Sequence, residues 1–332
     1  MNRGRLSLGK RIFGTLAIPL FAFGIIFLVC AVRGVVLFET TRNWMAFFRA
    51  TASVMLTTFA LSINLNSGRF DFSIGSVALL SSVISSTLAL WLDLPAGGML
   101  LICILSGAVL GCISGGIYVI SKLPPIIVSL GVTLLFEGAA FVLTDGYGVS
   151  FVTKAKLTGF PGVRNYLLVI LVALAIMILI FDHTKFGYEY KALLSGQSVS
   201  VNMGIREIPN AIACYMIAGS LMGVVGFLSA TNTGTIQMAL NFGSIGVMFT
   251  AFLPMFIGGF IGRFSNDKLG YLLGGMIAAG ISLMYAKLQM DSSVQQIVTA
   301  LILVVFLIYL NNENKLVELR MLKARKTAKH RG

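Results

Sequence analysis

Charged and metal-binding side chains are scarce in this sequence. Only 11% of the 332 residues are charged, and there are two histidines and four cysteines. His183 and His330 are too few for a histidine-rich metal cluster, and both lie in the basic flanks of apolar runs. The cysteines fall within apolar segments and form no close pair, which indicates buried thiols and argues against a disulfide framework or a metal site.

Motifs for nucleotide hydrolysis and for proteolysis are missing as well. No GxxxxGK[ST] phosphate loop occurs, and the only Gly-Lys pair, Gly9-Lys10, is followed by Arg11. Neither HExxH nor GxSxG occurs, so an intramembrane enzyme lacks a plausible catalytic pair. We therefore expect no catalysis and no cofactor on this chain. If ATP drives it, a partner subunit binds and hydrolyses the ATP.

Apolar residues dominate the composition. They make up 57% of the chain, and the mean hydropathy is +0.92, which indicates that lipid is the solvent for most of it. A spanning helix takes roughly 20 mainly apolar residues, because about 30 Å of hydrocarbon must be crossed. The sequence predicts an all-α polytopic membrane protein with about ten transmembrane helices. The apolar runs are residues 15–32, 46–65, 70–92, 97–121, 126–143, 166–181, 212–230, 245–261, 269–288 and 294–310.

Polar residues and glycines interrupt these runs in informative ways. The second, third and eighth runs are the weakest, and runs with Asn, Asp, Ser or Pro are candidates for broken or re-entrant helices. Gly107, Gly111 and Gly115 place three positions without side chains on one helix face, and Gly219 with Gly223 repeats the spacing. Such a face allows a neighbouring helix to approach closely.

Basic residues cluster at the two ends of the chain and predict its orientation. The net charge is +13, and Lys and Arg of short loops stay in the cytoplasm. An even number of spans puts both termini on one side, so we expect both to be cytoplasmic. Neither end is interleaved with aromatics, so no nucleic-acid binding is expected. The predicted organisation is a basic N-terminus (1–14), a transmembrane domain (15–311) that begins with a retained anchor, and a basic tail (312–332).

Four stretches carry a family pattern. Residues 66–77 read NSGRFDFSIGSV, 122–146 read KLPPIIVSLGVTLLFEGAAFVLTDG, 183–205 read HTKFGYEYKALLSGQSVSVNMGI, and 256–269 read FIGGFIGRFSNDKL. In their order and spacing they resemble the permeases of the ribose and related simple-sugar ABC importers, over roughly residues 61–311.

The chain departs from that pattern where Ser67 replaces a glycine, Arg69 replaces an apolar or small residue, and Glu137 stands where many members have Arg. In the third stretch the family's Gly-Gly-Asn is Leu194, Ser195 and Gly196, and its paired alanines are Ser198 and Val199. In the fourth stretch only Gly258, Gly259 and Gly262 match clearly.

The third stretch aligns with the family's cytoplasmic loop without a gap. The resemblance implies that residues 182–210 hold a coupling helix, which seats in a groove of the ATPase and transmits its closure to the spans. On the residues alone, the mixed charges of this loop fit either a rigid lever or a solvated connector. The residues expected to couple to the ATPase are His183, Thr184, Gly187, Ala192, Gly196, Gln197, Gly204 and Ile205.

Polar groups inside the apolar runs are candidates for a translocation pathway, since each costs a few kcal/mol in hydrocarbon unless it faces water or a partner. Asp71 has an alternative role, either pairing with Arg69 or capping a helix N-terminus. Glu137 has no basic neighbour within four positions, so a pathway role and a packing role stay equally open. The candidates are Asn64, Asn66, Asp71, Glu137, Gln237 and Asn241, with Phe70, Phe72, Phe136 and Phe141 as nearby aromatic surfaces.

These features, with the resemblance, predict the permease subunit of an ABC importer in the bacterial cytoplasmic membrane. The expected solute is a simple sugar. The resemblance implies an external solute-binding protein, two separate ATPase subunits, and a second permease copy or a paralogue as partners, all around a chain embedded in membrane lipid. The main alternative is a secondary transporter that couples solute flow to H⁺ or Na⁺ through Glu137 or Asp71.

Overall fold

The computed structural model describes residues 8–329, and its described part is almost wholly helical. The helices are α1 (Leu8–Val32), α2 (Thr41–Asn66), α3 (Ile74–Trp91), α4 (Ala96–Ser121), α5 (Pro125–Leu143), α6 (Ala155–Thr158), α7 (Val163–His183), α8 (Lys185–Ser195), α9 (Gln197–Asn202), α10 (Glu207–Thr233), α11 (Gly246–Phe249), α12 (Phe252–Gly262), α13 (Asp267–Lys287) and α14 (Ser292–Lys329). A 3₁₀ turn, Gly243–Ile245, precedes α11. Two short strands, β1 (Val149–Ser150) and β2 (Thr235–Ile236), pair antiparallel.

Ten helical stretches within the described residues are long and apolar enough to cross a membrane. They are α1 to α5, α7, α10, the stretch Gly243–Gly262, α13, and the first part of α14 as far as Asn312. The expectation of an all-α protein with about ten spans is therefore confirmed. Of the predicted basic ends, Arg3 and Arg5 lie outside the described residues, whereas the tail continues α14 as a helix to Lys329.

Two of the three weak spans are broken. The third begins only at Ile74, so Phe70 to Ser73 form a non-helical entry to α3. The eighth consists of the 3₁₀ turn, α11 and α12, with the helix interrupted at Thr250 and Ala251. The second weak span, α2, is continuous over 26 residues. Polar side chains inside an apolar run thus marked two real interruptions.

Glycines bring α4 and α10 into backbone contact. A Cβ atom at Gly111 would collide with the carbonyl oxygen of Tyr215, and one at Gly219 would collide with that of Gly107. A Cβ atom at Gly223 would likewise collide with the carbonyl oxygen of Cys103. The close approach expected from the four-residue glycine spacing is confirmed, and the helix pair forms the centre of the core.

The chain divides into two compact units, Met1–Met284 and Tyr285–Gly332. In the first unit, the described helices pack around a continuous apolar core that includes Phe59, Met99 and Phe227. The strand pair lies in this unit and ties residues 235 and 236 to the loop after α5. The second unit contains the end of α13 and all of α14, and there the amide nitrogen of Gln295 donates to the carbonyl oxygen of Met290 at 2.8 Å.

Candidate translocation pathway and coupling loop

A cavity of about 640 Å³ opens between α2, α3, α10 and residues 235–247. Successive spans alternate in direction, so this cavity lies toward the side of the membrane opposite the loop of α8 and α9. Its wall contains one charged side chain, Arg49, and no Asp or Glu. Its other polar groups are hydroxyls and one amide: Ser53, Ser82, Ser229, Thr233, Thr235, Ser244 and Gln237.

Glu137 holds the start of the broken eighth span. The side chain is only 1% exposed, and its Oε1 accepts from the Ser244 backbone N–H at 2.8 Å and from the Ser244 hydroxyl at 2.6 Å. Its Oε2 accepts from the backbone N–H of Phe242 at 3.0 Å. A helix N-terminus carries unpaired N–H groups and a partial positive charge, which a carboxylate neutralises. Glu137 on α5 therefore caps, from another helix, the N-terminus of the stretch that leads into α12.

This cap lies inside the membrane. Glu137 precedes the end of α5 at Leu143 by six residues, or about 9 Å along the helix axis. The eighth span therefore begins about 9 Å below the end of its neighbour. At the same depth α3 approaches the turn, because a Cβ atom at Gly75 would collide with the carbonyl oxygen of Ser244.

Asp71 plays the corresponding part at the start of α3. Its Oδ1 accepts from the Ser73 backbone N–H at 2.9 Å and from the Ser73 hydroxyl at 2.6 Å, and its Oδ2 accepts from the Asn64 amide at 3.2 Å. Among the described residues, Arg69 makes no ion pair with Asp71. Of the two alternative roles for Asp71, the structure supports the cap. Two buried carboxylates thus stabilise the N-termini of the two broken spans.

A second, smaller cavity of about 240 Å³ lies at the C-terminal end of α2, beneath the loop of α8 and α9. It is lined by Asn66, Ser67, Arg69, Leu193, Leu194, Gln197 and Glu207. Arg69 is only 5% exposed, and its Nη1 atom has no hydrogen-bond partner in the described structure. Glu207 accepts from the Gln197 amide at 2.6 Å. Both cavities are therefore lined by α2, the smaller one at the last residue of the helix and the larger one by residues about 12–18 Å after its start.

The predicted coupling loop folds into α8 and α9. Thr184 caps α8, because its hydroxyl oxygen accepts from the Gly187 backbone N–H at 3.3 Å. Gly187 is buried so close to the Phe181 carbonyl oxygen that a Cβ atom would collide with it. Gly204 closes the loop with φ +91°, in the left-handed region that favours glycine. The residue types at Thr184, Gly187 and Gly204, which match the family pattern, are therefore each explained by the local structure.

Two sets of contacts tie this loop to the spans. The Tyr190 hydroxyl, on α8, donates to the carbonyl oxygen of Ile63, on α2, at 2.9 Å. Asp182, at the end of α7, accepts from Lys191 of α8 at 2.6 Å and from Lys268 of α13 at 2.9 Å. Asn266 donates to the other oxygen of Asp182 at 3.0 Å. The α8 helix is therefore bonded directly to α2 and α7 and, through Asp182, to α13.

The far side of the loop presents apolar side chains outside the spans. Val199 is 65% exposed and Met203 is 80% exposed, four residues apart at the end of α9. Tyr188 is also exposed. An apolar patch on a polar connector is typical of a surface that binds another protein.

Comparison with known proteins identifies the family. Residues 45–310, about four fifths of the chain, match the model of the permease component of branched-chain amino acid transport systems. The chain belongs to this family. It is a multi-pass membrane permease, and the resemblance seen in the sequence motifs is confirmed.

The curated relatives of this permease are sugar transport permeases of similar length. The fructose import permease protein FruG of Bifidobacterium longum is 24% identical over 88% of this chain and 90% of its own. The D-allose transport system permease protein AlsC of Escherichia coli is 24% identical over 75% of this chain and 78% of its own. The L-arabinose transport system permease protein AraH of Escherichia coli is 23% identical over 87% of this chain and 88% of its own. No solved structure matches the permease significantly.

The predicted pathway residues occupy different places in the permease. Gln237 lines the larger cavity and Asn66 the smaller one. Asn64, Asp71 and Glu137 are buried in the two caps, and Glu137 reaches the larger cavity wall only through Ser244. Asn241 is exposed, with φ +55°. A direct role in solute contact stays a prediction for all six.

The predicted coupling residues are also divided. His183, Thr184, Gln197 and Gly204 are exposed, Ala192, Gly196 and Ile205 are half-buried, and Gly187 is buried. Contact with an ATPase stays a prediction for each of them.

Two residues of this permease were missed by sequence reasoning. Arg49 carried a recognisable signal, since it is an arginine inside the predicted span 46–65. Asp182 carried a weaker one, as an acid at the end of an apolar run directly before the His183-Thr184 pair.

Proposed function

We propose that this permease is the membrane-spanning subunit of an ABC importer for a monosaccharide. The relatives named above are permeases for fructose import and for D-allose and L-arabinose transport, which supports the solute class. In this proposal an external binding protein delivers the solute to the larger cavity, both termini are cytoplasmic, and the permease pairs with a second copy or a paralogue in the bacterial cytoplasmic membrane. Separate ATPase subunits bind and hydrolyse the ATP.

The observation that carries the proposal is the loop of α8 and α9. It joins an exposed apolar patch, Val199 and Met203, to a buried anchor, Tyr190, and to the Asp182 ion pairs. A solvated connector needs neither the exposed apolar surface nor the tethers. A transmitting element needs both, because a partner must bind on one side and the spans must move on the other.

The ion-coupled alternative is less well supported. A carrier of that kind needs an intramembrane carboxylate that gains and loses a proton or an ion during each cycle. Both oxygens of Glu137 and both of Asp71 accept hydrogen bonds at helix N-termini or from Asn64. Releasing either carboxylate would leave buried donors without partners.

The test is a pull-down of the ATPase combined with an uptake assay. Replacing Val199 and Met203 together by Ser removes the apolar patch without touching the spans, so ATPase retention and uptake should both fall at least about tenfold. Gly196→Trp should act likewise, since its φ of 173° suits any residue and the nearest atom to an added Cβ, in Val199, lies 3.9 Å away. Ala192 is half-buried, so Ala192→Trp also disturbs the loop itself.

The matched control is Tyr147→Ser. Tyr147 is 93% exposed in the loop after α5, on the other side of the membrane. Its replacement by Ser should therefore leave ATPase retention unchanged. Normal ATPase retention and normal uptake in the Val199 and Met203 double variant and in Gly196→Trp would overturn the proposal.

A further inference from the structure

Arg49 is a charge inside the membrane span that the protein itself leaves unpaired. It lies eight residues after the start of α2, about 12 Å along the helix axis, and is half-buried. Within residues 8–329, its guanidinium makes no ion pair and no side-chain hydrogen bond. An arginine at this depth costs several kcal/mol unless it faces water or an acceptor, and what it faces is the larger cavity.

The cavity wall supplies no compensating negative charge. Its polar groups are hydroxyls and the Gln237 amide, and it contains no carboxylate. Glu137 lies behind Ser244, with both oxygens committed to the cap of the eighth span. A neutral sugar offers hydroxyls that donate as well as accept, whereas a guanidinium only donates. The wall therefore lacks the charged acceptor that would balance Arg49, and an acceptor-rich, negatively charged solute fits it better.

The smaller cavity repeats this feature. Arg69 is buried there with its Nη1 unpartnered, and no ion pair joins it to the Glu207 carboxylate in the described structure. Glu207 is hydrogen-bonded to Gln197. Arg69 also stands where the family pattern has an apolar or small residue. Each cavity thus has an arginine without a carboxylate partner.

We infer that the solute of this permease is a monosaccharide derivative with an anionic group, a carboxylate or a phosphate, which Arg49 binds in the larger cavity. The inference rests on the proposed import function and narrows its substrate class from monosaccharides in general to sugar acids or sugar phosphates. The planar guanidinium can donate two parallel hydrogen bonds to a carboxylate or a phosphate. Such charge-assisted hydrogen bonds are about twice as strong as neutral ones.

The experiment measures binding to the full-length chain in lipid nanodiscs by isothermal titration calorimetry. The probes are D-glucose, D-glucuronate, D-gluconate and D-glucose 6-phosphate at millimolar concentrations. At least one anionic probe should bind about tenfold or more tightly than D-glucose. Comparison of the two carboxylate probes with the phosphate probe identifies which anionic group the cavity binds.

Substitutions on α2 test whether Arg49 causes the preference for anionic probes. Arg49→Gln should abolish it, and Arg49→Lys should retain part of it because the charge stays. Arg42→Gln is the matched control, since Arg42 is exposed two turns earlier on α2 and outside the cavity wall. Ser53→Asp provides an independent route that keeps Arg49. It places a carboxylate four residues away on the same wall, where it should pair with the arginine and remove the preference.

The outcomes separate the two proposals. Equal affinity for D-glucose and the three anions, or a preference that persists in both Arg49→Gln and Ser53→Asp, would overturn the inference and leave the import function standing. Absence of binding for every probe would also overturn it. Normal ATPase retention and uptake in the Val199 and Met203 double variant and in Gly196→Trp would instead remove the proposed function without altering the measured preference. Gel filtration of each variant ensures that only folded protein is compared.

Discussion

Replacing Glu137 tests whether the buried carboxylate holds the broken eighth span in place. In Glu137→Leu, the backbone N–H groups of Phe242 and Ser244 and the Ser244 hydroxyl lose their acceptor at once. A buried donor left unsatisfied costs about 1–3 kcal/mol, and this applies in full to the backbone N–H of Ser244. The Phe242 N–H is only part-buried and Ser244 lines the cavity, so these two donors add less, and the expected loss is about 1–3 kcal/mol. Part of this loss is local, because the 3₁₀ turn and α11 can detach before the rest of the chain unfolds.

A graded series separates hydrogen bonding from charge. The Glu137→Gln amide oxygen can still accept both bonds from Ser244, but its NH₂ group then faces the N–H of Phe242. One unsatisfied donor, which is only part-buried, and the lost interaction with the helix N-terminus predict a smaller loss than in Glu137→Leu. Glu189→Gln is the control, since its ion pair with Lys185 is long, at 3.7 Å, and Lys185 is largely exposed.

The assays are thermal unfolding in detergent and thiol labelling of a cysteine placed at Phe242. The expected order of stability is wild type, then Glu137→Gln, then Glu137→Leu, with labelling in the reverse order. Equal stability, labelling and uptake in Glu137→Leu and wild type would refute the capping role and any role in the pathway.

Three further predictions follow from the fold. Gly219→Ala should destabilise the permease by about 1–3 kcal/mol in thermal unfolding, because its Cβ meets the Gly107 carbonyl, whereas Gly116→Ala, with open space around it on α4, should not; equal stability of the two would contradict the close packing. Asp182→Asn should lower ATP-driven uptake while sparing membrane insertion, since it weakens the bonds to Lys191 and Lys268; Lys185→Gln is its control, and unchanged uptake would show that these ion pairs transmit nothing. A periplasm-specific reporter fused to the C-terminus should be inactive, and activity there would reverse the predicted orientation.

The sequence alone predicted the features that lipid imposes. Each span must be long and apolar, so the ten runs and the glycine face of α4 could be read directly. Asp and Ser in the third run, and Pro in the eighth, marked spans that proved to be broken. These signals lie within one segment and need no knowledge of neighbours.

Pairings between distant segments could not be predicted in this way. Glu137 and Ser244 are 107 residues apart, and nothing in either segment specifies the other. The cap therefore appeared in the sequence only as an unexplained acid. For Arg49 the informative feature is a missing partner. Only the folded cavity wall shows that no carboxylate lies beside this arginine.

The length of α2 has a mechanical consequence. The helix is continuous over 26 residues, or about 39 Å, with Arg49 about 12 Å after its start and Asn66 at its end. Its lower half is attached to α8 through the bond from Tyr190 to Ile63. A rigid rod of this length that tilts by about 10° about its midpoint moves the Asn66 end by about 3 Å, and moves Arg49, about 7 Å beyond the midpoint, by about 1 Å in the opposite direction. A displacement of α8 would therefore act mainly on the smaller cavity, and the wall of the larger cavity near the pivot would stay almost fixed.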